Sequence, residues 1–296
     1  MLEIGVVRSV LRSLGGPLRC TSIFKCWKFL LHFITGHCEI TRACLSNVTE
    51  KERTRRVDAS ITFSTKLLRA RSLIRTDFDV HEMVSDIAIG KRMKQDEIYQ
   101  SIIHIRLETS LMHIRSLNRA IIELRALART QYDAGHVDHE KQLLQLWEQL
   151  MPGVRLEGRI SKDWGEIGFQ GKDPATDFRG MGLLGLQNLV YFAKNRQEDA
   201  RSVLLCARSP KYEYPFSIAG INLTAMILKM VEARKLSLYF YTLSEEQCIR
   251  CFNDLYCDIF VRFNSFWVAS EPVDVMDFGK VQRKFAELLE YENVEL

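Results

Sequence analysis

The sequence predicts an all-α protein. At least six segments carry apolar residues at the i, i+3, i+4 spacing of a helix face, and no two alternating runs could pair as a sheet. Six prolines in 296 residues leave room for long helices, and Leu, Ile, Arg and Glu are abundant. At 47% hydrophobic and 26% charged residues the composition is that of a globular chain long enough for one or two domains.

The chain opens basic. Residues 1–75 hold 14 Lys or Arg against 5 Asp or Glu, a net of +9, and the remainder carries −5. A basic arm on a mildly acidic body suits either an anionic surface or plain solvation. Arg8, Arg12 and Arg19 in the first twenty residues faintly resemble a mitochondrial presequence. Ile23–Ile34 is strongly apolar but too short to span a bilayer. Lys25, Lys28 and His32 share one helical face there, with Phe24, Trp27, Leu31 and Phe33 over the rest. Peripheral membrane contact through residues 20–40 and docking on the body are both open. Cys20, Cys26 and Cys38 are candidates for acylation or for ordinary burial. Residues 50–75 add eight basic side chains with Phe63 as the single aromatic, so nucleic acid finds no stacking platform. No nucleic-acid partner is expected; a solvated face or contact with phosphate or lipid remains.

Asp96–Thr130 is almost unbroken helical pattern, with Leu107, Leu111, Ile114, Ile121 and Leu124 on one face. One rod of that length would measure about 52 Å, so a break near 108–116 is expected. Tyr132–Val137, with Gly135, reads as a turn and a domain boundary. His136, His139 and Glu140 have the wrong order for a zinc-protease helix and read as surface residues. A helix over Asp138–Met151 stacks Leu143, Trp147 and Leu150 and stops at Pro152. Pro215 opens another, with Ala219, Leu223, Met226 and Met230 inward, and Gly220 and Asn222 allowing close helix contact. Leu236–Tyr241 has strand character but no partner. Ser244–Gln247 is a capping box ahead of Cys248, Cys251, Phe252, Leu255, Ile259 and Phe263. The two thiols lie on that apolar stripe, which favours packing over zinc or redox chemistry. Val273–Tyr291 closes the chain on Phe278, Val281, Phe285 and Leu288.

Residues 164–192 stand apart, because six of the sixteen glycines fall there. The first half reads as an ordered loop. The second is a helix capped by Thr176 or Asp177, with Leu183, Leu186, Leu189, Val190 and Ala193 as its stripe. Gly180–Gly185 spells the dinucleotide fingerprint, but the preceding KDPATDFR cannot be the strand that motif needs. Arg179 sits at the junction, with two readings: pinned by Asp173 or Asp177 to hold the loop, or offered to a partner's phosphates.

The run Trp164-x3-Gly168-Phe169-Gln170-x3-Pro174-x-Thr176-Asp177-x-Arg179-Gly180-x-Gly182-x2-Gly185-Leu186 resembles the signature of the ELMO domain. Ile218–Thr224, Phe263-x2-Phe266-Trp267 and the Val275–Phe285 stretch are similar to its later helices, and Thr35–Glu39 and Leu146–Pro152 to its short ELMOD-type members. The likeness is close over about 130–290 and loose over 24–130. It implies a GTPase-activating protein for ARF and ARF-like small GTPases, whose motif arginine, here Arg179, acts as a finger in trans. Trp164, Gly168, Phe169, Gln170, Pro174, Thr176, Asp177, Gly180 and Gly182 would support it or meet the partner. No cofactor or metal of its own is implied, since GTP and magnesium belong to the GTPase. The alternative is a scaffold that assists Rac exchange factors, although the armadillo-like, PH and proline-rich regions of those larger proteins are not seen here.

The expected organisation is a basic segment over 1–49, a helical region over 50–132 and the ELMO-like domain over 133–296. Eight scattered cysteines without a disulfide framework point to a reducing compartment. A cytoplasmic location follows, with peripheral attachment to Golgi, ER, lipid droplet or mitochondrion as the further expectation.

Overall fold

The computed structural model describes residues 30, 33–93 and 102–295, with side chains as far as 291. Phe24, Trp27, Cys20 and Cys26 therefore lie outside the described residues, as does the start of the Asp96–Thr130 pattern. The described residues are helical, with turns and 3-10 segments between, and contain no strand. They group into two compact units, Met1–Ile114 and Arg115–Leu296.

In the first unit, α1 (Glu39–Leu45), α2 (Glu50–Thr62), α3 (Leu68–Leu73) and α4 (Val80–Lys91) are joined by short turns. Cys38 is the N-cap of α1, its Sγ accepting from Thr41 N at 3.4 Å, so this thiol is half-buried and used locally. Thr49 and Asp79 cap α2 and α4. Ile40, Cys44, Val57, Ile61, Ile74, Met83 and Ile87 are buried. The buried Asp58 is compensated by Arg75 at 2.8 Å and by the Thr62 hydroxyl at 3.1 Å.

Helix α5 (Ile102–Arg129) carries no break at 108–116. Its 28 residues make a rod of about 42 Å, and Leu107, Leu111, Ile114, Leu117, Ile121 and Leu124 are buried along it. The division between the units falls inside this helix, upstream of the 132/133 boundary read from the sequence.

The second unit is built around α7 (Gly182–Asn195), which is buried on nearly every side. It packs against α6 (Val137–Leu150), α8 (Gln197–Ala207), α9 (Phe216–Glu232) and α10 (Glu245–Ala269). Gly220 of α9 makes this possible: a Cβ there would lie 2.6 Å from both Leu189 Cδ2 and the Tyr256 hydroxyl. Asn222, by contrast, is exposed and has no part in the contact. Asn188 in α7 is buried and donates to Thr224 Oγ1 at 3.1 Å, a core polar pair without a sequence signature.

Leu236–Tyr241 is a 3-10 turn over Ser237–Tyr239, not a strand. It receives the thiols of α10: Cys251 Sγ donates to Tyr239 O at 3.6 Å and Cys248 Sγ to Phe240 O at 3.8 Å. Burial pushes the Cys248 thiol up to about 12, against any thiolate chemistry. The capping box forms, with Gln247 N donating to Ser244 Oγ and Ser244 N to Gln247 Oε1. The last helix, α11 (Phe278–Glu295), starts after a 3-10 turn over Val275–Asp277. It buries Val281, Phe285 and Leu289, so Leu289 rather than the expected Leu288 faces inward.

Candidate functional site

Residues 151–181 have little regular structure, so aromatic packing and side-chain hydrogen bonds must order them. A string of rings runs through the segment. Trp147 of α6 meets Trp164 edge-on at 5.5 Å, Trp164 meets Phe169 at 5.9 Å, Phe169 meets Phe178 at 5.5 Å, and Phe178 meets Tyr132 at 5.4 Å. Both indoles are tied to loop carbonyls, Trp164 Nε1 to Arg159 O at 3.0 Å and Trp147 Nε1 to Val154 O at 2.8 Å. Trp164, Phe169 and Pro174 are therefore buried supports of the loop.

Gly168 locks the loop to the start of α9. Its φ is +80°, and a Cβ would lie 2.2 Å from Phe216 N, so no other residue fits. Ser217 Oγ donates to Ile167 O at 2.6 Å beside it.

The residues that follow form a 3-10 turn, Pro174–Gly180. Its cap is Asp173, whose Oδ1 accepts from Ala175 N at 3.0 Å, with Pro174 in the first turn. The expected capping by Thr176 or Asp177 does not occur. Thr176 Oγ1 donates back to Asp173 O at 3.0 Å, and Asp177 Oδ2 accepts from Gln170 N at 2.8 Å. Helix α7 has no side-chain cap. Its Leu183 N–H donates instead to Thr130 O at 2.9 Å, just beyond the end of α5. Gly182 allows that contact: with φ at +47°, a Cβ would lie 2.3 Å from Thr130 O and 2.8 Å from Ala128 O. The helix start is thus occupied by the chain's own carbonyls, and the segment before it is a 3-10 turn, so the dinucleotide motif has neither its strand nor a free helix terminus.

Sequence reasoning missed Arg159. This guanidinium is half-buried, pairs with Glu140 of α6 and with Asp173 at 2.9 Å, and lies over the Tyr132 ring at 5.7 Å. Burial would lower its pKa, but the bonds to Glu140 and Asp173 outweigh it and hold the charge firmly on. Burial and the bond to Glu140 likewise push the Tyr132 hydroxyl upward, so it acts as a donor and not as a base. The partners of Arg159 lie 14 to 27 residues away. No local spacing would have exposed them.

Arg159 thereby occupies Asp173, one of the two carboxylates that the sequence offered to Arg179. The Arg179 side chain is exposed and makes no hydrogen bond or ion pair among the described residues. Asp177, half-buried, feels its charge without bonding to it. Burial raises the Asp177 pKa, opposed by the Gln170 N–H and then by the Arg179 charge. Gly180, next in the chain, is exposed with nothing within 4 Å of a Cβ position, whereas Gly182 is buried in helix packing. Arg179 lines a shallow cleft of about 310 Å³ with Gln131, Tyr132, Ala175, Thr176 and Phe178. Gln170 is exposed but does not line this cleft.

The lining holds no carboxylate, histidine or thiol, so the cleft offers binding and charge but no general base of its own. His136 and His139 stack at 4.2 Å nearby in sequence, and His139 Nδ1 accepts from Asp133 N at 3.1 Å. Among the described residues no three His, Cys, Asp or Glu side chains are grouped to hold a metal ion, and no helix is long and apolar enough to cross a membrane.

The model of the ELMO/CED-12 family matches residues 122–282. The chain is 34% identical to ELMO domain-containing protein B of Dictyostelium discoideum, over 89% of this chain and 92% of that protein. It is 35% identical to mouse ELMO domain-containing protein 1, over 90% of this chain and 86% of the relative. With human ELMO domain-containing protein 2 the identity is 35%, covering 89% and 90%.

Proposed function

This chain belongs to the ELMO/CED-12 family, and from that premise we propose that it is a GTPase-activating protein for ARF or ARF-like GTPases, with Arg179 as the finger supplied in trans. The observation that carries the reading is the state of Arg179. It is an exposed guanidinium with no hydrogen bond or ion pair among the described residues, on a turn whose carboxylates are engaged elsewhere.

Phosphoryl transfer from GTP to water builds negative charge on the phosphoryl oxygens. A guanidinium brings fixed positive charge and a planar fork of donors to those oxygens, worth about 10³ to 10⁵ in rate. To be useful it must arrive without reorganisation. The ring string, the Gly168 lock and the Asp173 cap hold the turn rigid, which limits the entropy lost on docking. The open space beside Gly180 lets the partner approach the arginine closely. Asp177 keeps its carboxylate on Gln170 N–H, so it can orient the guanidinium electrostatically without capturing it. GTP and its magnesium ion enter with the GTPase, which also positions the attacking water.

The test is complex formation with the GDP–aluminium fluoride form of each ARF-family GTPase, where the fluoride mimics the transferring phosphoryl group. The wild type should form a stable complex with at least one of them, and Arg179→Lys should not. Equal capture of the GDP, GTP and fluoride forms by both proteins would favour a scaffold over an activator.

A further inference from the structure

A second surface lies in the first unit and is built from residues that the GTPase reading does not use. The turn that joins α2 to α3 packs on the C-terminal end of α4. Lys91 Nζ of α4 donates to Ser64 Oγ at 3.3 Å, and a Cβ on Gly90 would lie 2.5 Å from Leu67 Cδ2. Ser64 and Leu67 turn inward, their bonds knitting the turn: Leu67 N donates to Ser64 Oγ at 3.2 Å. The neighbours of these residues turn outward. Phe63 is 76% exposed, Leu68 69% and Ile89 72%, values that internal packing does not explain for three large apolar side chains on adjoining elements.

The segments that carry them are basic. Residues 63–71 and 89–93 hold five Lys or Arg and no Asp or Glu. Arg69 is engaged by Glu82 and Asp86 of α4. Lys66, Arg71 and Arg92 form no ion pair among the described residues and are exposed. Arg92 stands with φ at +53° as the residue that ends α4, a place where glycine is usual. A residue with a Cβ pays for that conformation, and here it is a cation at the rim of an apolar patch.

We propose that Phe63, Leu68 and Ile89, rimmed by Lys66, Arg71 and Arg92, form a docking patch for an anionic lipid surface. Phe63 and the two aliphatic side chains would enter the boundary between headgroups and acyl chains, and the cations would meet the lipid phosphates and carboxylates. A protein partner would cover the same apolar residues but gives no reason for Lys66, Arg71 and Arg92, which form no ion pair among the described residues, all to be cations. The patch shares no residue with the apolar segment within residues 20–40, so membrane contact by that segment neither requires nor replaces it.

The full chain is sedimented with vesicles of phosphatidylcholine alone and of phosphatidylcholine with phosphatidylserine. One variant carries Phe63→Ser, Leu68→Ser and Ile89→Ser, and another Lys66→Glu, Arg71→Glu and Arg92→Glu. Because the altered side chains are exposed, both should melt like the wild type. The wild type should bind the serine-containing vesicles, and each variant should lose at least about tenfold in affinity. Phe63→Trp should in addition be quenched by brominated acyl chains beyond the wild-type baseline, which reports this position whatever residues 20–40 do. The proposal is overturned if the variants keep wild-type affinity, if the introduced indole is not quenched, or if the wild type ignores both vesicle types. It is also overturned if the wild type is a dimer that the serine variant dissolves, since the patch then belongs to a second copy.

Discussion

Gly182→Ala should destabilise the second unit while Gly180→Ala, two residues away, should not. At 182 the backbone is left-handed, with φ at +47°, and alanine there costs about 1 to 2 kcal/mol. The new Cβ would also sit 2.3 Å from Thr130 O, 2.8 Å from Ala128 O and 3.0 Å from Leu127 O. Those are backbone atoms at the end of α5, and they cannot swing aside as a side chain would. Relief requires the start of α7 to move off α5, which stretches the 2.9 Å bond from Leu183 N to Thr130 O and forfeits about 1 kcal/mol. The total is about 3 kcal/mol, or a fall of about 6 to 12 °C in Tm for a unit of this size. At 180 nothing lies within 4 Å of the Cβ and φ is not positive, so the change should stay within about 0.5 kcal/mol. Thermal melts followed by circular dichroism, backed by urea titrations, compare the two. Equal melting of Gly182→Ala and wild type would refute the packing argument, and so would equal losses at both glycines.

Arg159→Gln should cost about 1 to 2 kcal/mol, because it leaves Glu140 and Asp173 without their shared cation in a half-buried setting; a urea midpoint unchanged from wild type would show that the hub is dispensable. Asp177→Asn should leave stability at neutral pH intact or slightly raised, since an amide oxygen can still accept from Gln170 N. The pKa of Asp177 is raised in the fold, so the native state holds the proton longer than the unfolded chain. Its contribution to stability therefore falls as pH climbs from about 4, through the ordinary carboxylate value to the raised one. Urea midpoints across that range should show the asparagine variant losing this fall, and identical pH profiles would contradict it.

The helical class was legible because it rests on periodicity, a local property. The capping box at Ser244, the inward thiol of Cys248 and the stripe of α7 follow from spacings of three and four residues. The errors share a cause. The break expected near 108–116 in α5 assumed that a long rod must bend, and the continuous burial from Leu107 to Leu124 shows none is needed. The cap at Asp173 displaced Thr176 and Asp177 because Pro174 starts a 3-10 turn before α7 begins. The Arg159 hub joins residues from Tyr132 to Asp173, and a contact between distant positions leaves no mark on local pattern. The two readings of Arg179 could not be separated from sequence, because either depended on which arginine Asp173 would take.

The central claim is that Arg179 is a reactive group held out for a partner, not a strut of its own loop. Single-turnover GTP hydrolysis, measured across a panel of ARF-family GTPases with wild type and Arg179→Lys side by side, tests it most directly. Lysine keeps the charge and loses the fork, and Arg179 makes no hydrogen bond or ion pair among the described residues, so the variant should fold as the wild type does. The account predicts that the wild type accelerates at least one GTPase by about 10³ or more and that the variant accelerates none. It is contradicted if the wild type accelerates no GTPase in the panel, or if Arg179→Lys accelerates one as well as the wild type does.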